Sequence, residues 1–410
     1  MELYSIITIL IVLAAIFGFI NIRFLKLPST IGLLVISIFF TLSLVIVGAF
    51  SDSVYVFSES FIDKIDFKTV LLDVMLSFLL FAGALHTDMK QLKKQKAPII
   101  IFSTIGVILS TFIIGTAFYF ILQLIGFDIA YIYCLLFGAL ISPTDPIAVL
   151  GILKDANAPK KLEIKIVGES LFNDGIAVVI FITIYGLASS GIGEFQFTEV
   201  LITFVKEVLG GIALGLIFGF LTYLMLKNID HYETEIIITL ALVMGVYLLA
   251  HSVHFSGPLA VVVAGLFIGN KARKTAISQQ TEKYLDKFWE IIDVILNAVL
   301  FVLIGAELMV VSLQASYVIA GIIAIPLALL ARFAVLSLPI KFFKKRLDLV
   351  PKTTLLMTWG GLRGGISIAL ALSLTQEMHH DLFLTVTYIV VVFSIIVQGL
   401  SLKKLIKKVI

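Results

Sequence analysis

The chain is 410 residues long, 60% hydrophobic and 14% charged, where a soluble domain carries about a quarter charged residues. Its mean hydropathy is +1.12, and one core cannot hide that much apolar surface from water, so the excess faces lipid and a soluble fold is excluded. The net charge of +3 says little, whereas its distribution along the chain is informative.

Thirteen hydrophobic stretches lie near 3–22, 29–50, 68–86, 97–125, 129–152, 163–188, 199–226, 234–252, 257–269, 287–312, 315–342, 353–375 and 382–402. Most are long enough to cross a hydrocarbon layer of ~30 Å as helices. The first begins at Leu3 without a basic leader or a small-residue cleavage site, so it reads as a span rather than a signal. The ninth is short and opens on Gly257-Pro258. Connections are short and leave no room for a soluble domain. The last span is expected to end near 402, followed by a lysine-rich tail. The single Cys134 lies in an apolar run, which excludes a disulfide framework and a cysteine metal site.

Basic residues set the orientation. With the N-terminus outside, the inner loops hold Arg23 and Lys26; Lys90, Lys93, Lys94 and Lys96; Lys154, Lys160, Lys161 and Lys165; and Lys227. They also hold Lys271, Arg273, Lys274, Lys283 and Lys287; Lys341, Lys344, Lys345, Arg346 and Lys352; and Lys403, Lys404, Lys407 and Lys408. These are 25 of the 30 basic residues; Lys64, Lys68 and Lys206 fall outside, and Arg332 and Arg363 fall within the membrane. One missed span would invert the alternation from that point on, so the pattern predicts thirteen spans with the C-terminus inside.

Two spans are interrupted. Span five is broken over 142–146, Ser142-Pro143-Thr144-Asp145-Pro146. Pro143 and Pro146 cannot donate to the carbonyls of Ala139 and Ser142, and each pushes its preceding residue out of helical geometry. Free carbonyls in hydrocarbon need a cation, water or side chain; without a ligand the same residues would make a plain proline kink. Span twelve is broken over 360–365, where Arg363 stands between Gly360-Gly361 and Gly364-Gly365. Paired interruptions in the two halves point to a transporter built on inverted repeats. Asp145 would meet converging helix N-termini and Arg363 converging C-termini, a mainly structural role for both.

Span six carries Glu169, Ser170, Asn173 and Asp174. Ser170 and Asp174 are four apart and share a helix face, as do Glu169 and Asn173. Asp174 stands about eleven residues past the basic loop, near mid-membrane at 1.5 Å per residue, where an acid is a functional candidate by default. A structural alternative pairs each carboxylate with an intramembrane arginine. Arg332 needs such a partner, and Glu169 is the best one available. Asp73 suits a vestibule or an interface equally. Glu290 and Asp293 suit an inner vestibule or a solvated helix end, on a span that also bears Trp289 and Asn297. His251 and His254 could sense pH but read first as interfacial; His379 and His380 read as solvated.

With these residues in place, the chain resembles the cation/proton antiporter superfamily, in the electroneutral Na+/H+ antiporter branch that holds the archaeal and bacterial Na+/H+ antiporters and the animal sodium/proton exchangers. The resemblance rests on Ser142 to Pro146, Gly168 to Gly175, Phe301-Val302-Leu303-Ile304-Gly305 and Gly360 to Gly364. It implies an all-α integral membrane protein with thirteen transmembrane helices, inverted repeats and two crossed discontinuous helices. It also implies a homodimer, in which residues 1–96 and 191–314 hold the dimerisation domain with linker span seven, and 97–190 and 315–410 form a mobile core. Asp174 is then the shared carboxylate, with Ser170 and the main chain of Thr144 as further ligands of the transported Na+. Asn173 is the neutral half of an asparagine-aspartate pair, Asp145 fixes Asn173 and the crossover, and Glu169 pairs with Arg332. Several relatives have a glutamate in span three where this chain reads Leu80-Phe81-Ala82-Gly83, so a third carboxylate at the ion site is not expected. Nor is the long regulatory tail of the animal exchangers.

The implied chemistry is competition: Na+ and H+ each occupy the Asp174 carboxylate, never together, and a core carrying it bare is penalised. A paired Glu169 and a neutral Asn173 make exchange electroneutral, one for one, across a cell membrane of prokaryotic type. No cofactor and no nucleic-acid partner is expected. The alternatives are a K+/H+ exchanger on the same scaffold, an ion channel, and an intramembrane aspartyl protease using Asp145 and Asp174, against which stands the lack of a Gly-x-Gly-Asp motif.

Overall fold

The structure, a computed structural model, describes residues 2–48, 50, 67, 69–156, 158–190, 197–343 and 352–409. Lys64, Lys68, Lys344, Lys345 and Arg346, and the side chains of Asp73 and Lys154, lie outside the described residues. Among the described residues every regular element is helical, as lipid requires of a backbone that must satisfy its own hydrogen bonds.

Helices occupy each of the thirteen apolar stretches, and they are numbered accordingly. The first seven are α1 (Glu2–Ile20), α2 (Ser29–Gly48), α3 (Thr69–Leu85), α4 (Lys96–Ile125), the half-helices α5a (Tyr131–Ile141) and α5b (Pro146–Asp155), α6 (Lys160–Ser190) and α7 (Phe197–Lys227). Then come α8 (Tyr232–Ser252), α9 (Gly257–Phe267), α10 (Gln279–Ala306), α11 (Ala315–Phe343), the half-helices α12a (Thr353–Trp359) and α12b (Gly365–Leu372), and α13 (His380–Val409). Among the described residues nine helices are long and apolar enough to cross a membrane unaided. The shorter ones are α3, α9 and the two broken pairs. Helix α9 starts cleanly because the Ser256 hydroxyl accepts from the Leu259 amide and Pro258 sits in the first turn.

One end differs from expectation. Helix α13 runs through to Val409 instead of stopping near 402. Leu402 and Ile406, four apart, are buried, while Lys403, Lys404, Lys407 and Lys408 are exposed. The tail is an amphipathic continuation whose apolar stripe packs inward.

Two clusters of aromatic side chains mark where the helices pack. Phe137 of α5a lies 4.4 Å from Phe118 of α4 and 5.8 Å from Phe383 of α13, ring centre to ring centre. Trp289 of α10 lies 4.6 Å from Phe81 of α3 and donates to Thr239 of α8 at 3.1 Å. Helix α10 also holds α2, since Ser37 donates to the Val302 carbonyl at 2.8 Å.

Candidate functional site

The break in α5 is repaired from α12. Pro146 cannot donate to the Ser142 carbonyl, and the Arg363 guanidinium donates to that carbonyl and, at 2.8 Å, to that of Pro143. The C-terminal end of α5a thereby gains a full positive charge against its exposed carbonyl dipoles. The exchange runs the other way at α12b, where Asp145 donates its amide to the Leu362 carbonyl at 2.8 Å. Its carboxylate lies so close to Gly364 that a Cβ there would overlap it. A negative charge therefore stands at the N-terminus of α12b, where amides are unpaired. Ser394 of α13 accepts the Arg363 amide at 2.9 Å.

Helix α6 crosses this junction. Asn173 donates to the Thr144 hydroxyl at 3.0 Å and accepts the Thr144 amide at 3.4 Å. The same hydroxyl lies 2.9 Å from the Ser170 hydroxyl. Thr144, Ser170 and Asn173 thus form one buried hydrogen-bonded web tying the unwound chain to α6. The resemblance gives Asn173 to Asp145, but its hydrogen bonds found here are to Thr144. Asp174 is the next residue, only 3% exposed, and it lines a cavity of about 720 Å³ together with Asp145 and Gly364.

The buried arginines are engaged elsewhere. Arg332 makes a two-pronged pair with Glu169, Nη1 to Oε1 at 2.9 Å and Nη2 to Oε2 at 3.2 Å, and its Nε donates to the Met357 carbonyl at 3.1 Å. A Cβ on Gly361 would run into that guanidinium, so the first glycine pair in α12 is where the charge pair needs room. A bidentate, fully hydrogen-bonded arrangement is what lets two charges stay buried.

The cavity extends from Asp174 to a mouth lined by His86, Asp88, Lys160, Glu163, Asp286 and Glu290, of which His86, Asp88, Lys160 and Glu290 are exposed. Asp293 lines its wall, and so do Ala82 and Gly83, where a third carboxylate is missing. Glu290 is paired with Lys287 at 3.0 Å. Asp286 pairs with Arg273 and lies 3.6 Å from His86. The Asp88 carboxylate is held below its ordinary range, chiefly by the Gln91 side chain, and caps the helix Met89–Lys94. Of the acids at this mouth, sequence reasoning singled out Glu290 and missed Asp88, Glu163 and Asp286. All three sit among basic residues next to a span, a pattern shared with any solvated helix end. His251, His254 and His379 are exposed, and His380 pairs with Asp381 at 3.0 Å. None of these four lines the cavity. Among the described residues no cluster of three or more His, Cys, Asp or Glu forms a resident metal site; the donor set at Asp174 is carboxylate and hydroxyl oxygen, which suits a hard cation as cargo.

Known proteins resemble this arrangement over the whole chain. Residues 9–408 match the family described as sodium/hydrogen exchanger, transmembrane. The chain is 46% identical over 409 residues to the Na(+)/H(+) antiporter NhaP of Pseudomonas aeruginosa, covering 97% of this chain and 95% of that one. It is 35% identical over 390 residues to the Na(+)/H(+) antiporter NhaH of Halobacillus dabanensis, covering 94% and 93%. Its fold matches the solved structure of the sodium proton antiporter MjNhaP1 from Methanocaldococcus jannaschii at pH 8, with TM-score 0.75, 22% identity, and coverage of 100% of this chain and 99% of that one. An all-helical chain with two crossed, broken helices, matched along its length by such relatives, belongs to the transmembrane sodium/hydrogen exchanger family.

Proposed function

We propose that the protein exchanges Na+ for H+ across a cell membrane, one for one, by competition at Asp174. One observation supports this above the rest: a buried aspartate stands at the deep end of the large cavity while both buried arginines are spent on other partners. A bare carboxylate in so dry a place is costly. A proton relieves that cost by neutralising it, and a cation relieves it by pairing, but the two cannot occupy the same oxygens. Asp174, the Ser170 hydroxyl and the main-chain carbonyl of Thr144 supply the oxygen ligands, with water from the cavity completing the shell. Asn173 holds Thr144 in place and adds no charge. Glu169 stays neutralised by Arg332 throughout, so a core bearing Na+ and a core bearing H+ carry the same net charge.

The helices divide into a core of α4 to α6 and α11 to α13, which moves against the remaining helices, and two copies of the chain pair through the latter. The N-terminus lies outside and the C-terminus in the cytoplasm, because the cavity mouth adjoins loops rich in lysine. This conformation then faces inward.

The test is proton flux in proteoliposomes, read with a pH dye, as Na+, Li+ or K+ is added. Na+ and Li+ are expected to drive flux, and Asp174→Asn is expected to abolish it. Na+-driven flux that persists in Asp174→Asn would defeat the assignment, and flux driven by K+ alone would move the protein to a K+/H+ exchanger.

A further inference from the structure

Two buried acids take no part in the proposed exchange: Glu235, whose Oε1 accepts from the His231 amide at 3.1 Å and the Thr281 hydroxyl at 3.4 Å, and Glu307. Glu307 closes the last turn of α10 and is 5% exposed. It stands 21 residues beyond Asp286 of the cavity mouth, about 32 Å of helix at 1.5 Å per residue. It therefore lies at the opposite end of the helix that walls the open cavity. Its Oε2 atom is buried without a hydrogen-bond partner. The Tyr388 hydroxyl of α13 is equally buried and unpartnered, and it lies within electrostatic reach of Glu307. A third such atom is the buried hydroxyl of Ser367 of α12b, a residue that borders the open cavity together with Gly364 and Gly365. No charged side chain on α2, which packs against the turn bearing Glu307, or on α12b neutralises the acid.

An unsatisfied buried polar group costs about 1–3 kcal/mol, and an acid at membrane depth costs more. Glu307 at the end of α10, Ser367 of α12b and Tyr388 of α13 thus mark the seam between these helices, and Asn297 of α10 and Thr387 of α13 carry unpartnered buried atoms of their own. That seam separates the moving core from the rest under the reading above, on which this inference rests. We infer that Glu307, Tyr388 and Ser367 line the route to Asp174 from the side opposite the open cavity, closed in this conformation, and that Glu307 is the carboxylate which receives the cation there. When the core shifts, water and Na+ enter the seam and supply the partners these groups lack. Ser367 is the handover point, since it borders the site cavity in the conformation seen here.

The experiment uses the full chain in vesicles of fixed orientation, with Na+ titrated on each side separately. Glu307→Gln is expected to raise the Na+ concentration for half-maximal exchange about tenfold on the far side, the worth of one charge-assisted contact. The value on the cavity side stays unchanged, and Glu307→Asp restores the far-side value. A side-independent change, or none, overturns the inference and identifies Glu307 as structural or idle. A second measurement does not depend on flux. Thr385 lies one turn from Tyr388 toward the far end, is fully buried, and donates to the Ser312 carbonyl at 3.1 Å. Thr385→Cys in a Cys134→Ala background is expected to react with an impermeant maleimide from the far side only; no reaction from that side overturns the route. If the unaltered protein shows no Na+-driven flux, the exchange reading itself fails and takes this inference with it. Normal flux with a symmetric Glu307→Gln defeats this inference alone.

Discussion

At the scale of single residues, the proposed exchange gives each charge at the site one task. Arg332 belongs to Glu169 and Arg363 to the carbonyls of the α5 break, and in the proposed exchange the buried Asp174 is left for cargo. Breaking a buried pair by removing one partner costs about 3–5 kcal/mol, because the other charge is stranded. Arg332→Met is therefore expected to lower the unfolding temperature of the detergent-solubilised protein sharply. Adding Glu169→Gln to it should recover much of the loss. A single variant as stable as the parent would show that the pair is not holding α6 to α11. The proposed competition at Asp174 makes a second prediction. A proton on the carboxylate blocks Na+, so the Na+ concentration for half-maximal exchange should rise as pH falls. In the range where the proton dominates, the rise approaches about tenfold per pH unit, as one-proton linkage requires. Half-saturation independent of pH would mean that proton and cation use different groups.

Helices and their breaks decide where the chemistry sits. Prolines 143 and 146 unwind α5 and glycines unwind α12, but the gap stays open only because the two breaks exchange charges and hydrogen bonds across it. One close approach is at Gly364, where an added Cβ would overlap the Asp145 carboxylate. Gly364→Ala is expected to cut exchange by an order of magnitude or more, since a methyl group must displace either Asp145 or the start of α12b. Flux assays on protein that still folds and inserts would check it, and unchanged flux would show that the crossing can relax. Helix α13 illustrates a smaller effect. Its last turns read in the sequence as a lysine-rich tail, yet burial of Leu402 and Ile406 carries the helix on to Val409.

For the molecule as a whole, the arrangement predicts transport without current. In the proposed cycle, with Glu169 paired and Asn173 neutral, loaded forms differ only in whether Na+ or H+ sits on Asp174. Proton flux driven by Na+ should then proceed at the same rate with the voltage clamped at zero or at −100 mV by an ionophore, although each uncompensated charge would feel about 2.3 kcal/mol at that potential. A strong voltage dependence would require a second ion per cycle. The membrane helices, both breaks and the residues at them were legible in the sequence, because lipid thickness, proline stereochemistry and the cost of a charge in hydrocarbon act locally on the chain. The cavity mouth was not, since Asp286 and Glu163 look like any acid at a helix end until α3, α6 and α10 converge on one opening. Glu307 was equally hidden, following the Phe301 to Gly305 run as if it were the edge of a span. The sequence by itself determined that this chain crosses a membrane, where its helices fail, and which acid is too expensive to be idle. The tertiary structure alone decided which arginine faces which carboxylate, which end of the site is open, and which buried polar groups lack a partner. Those depend on distances between helices far apart in the chain, which no local pattern encodes.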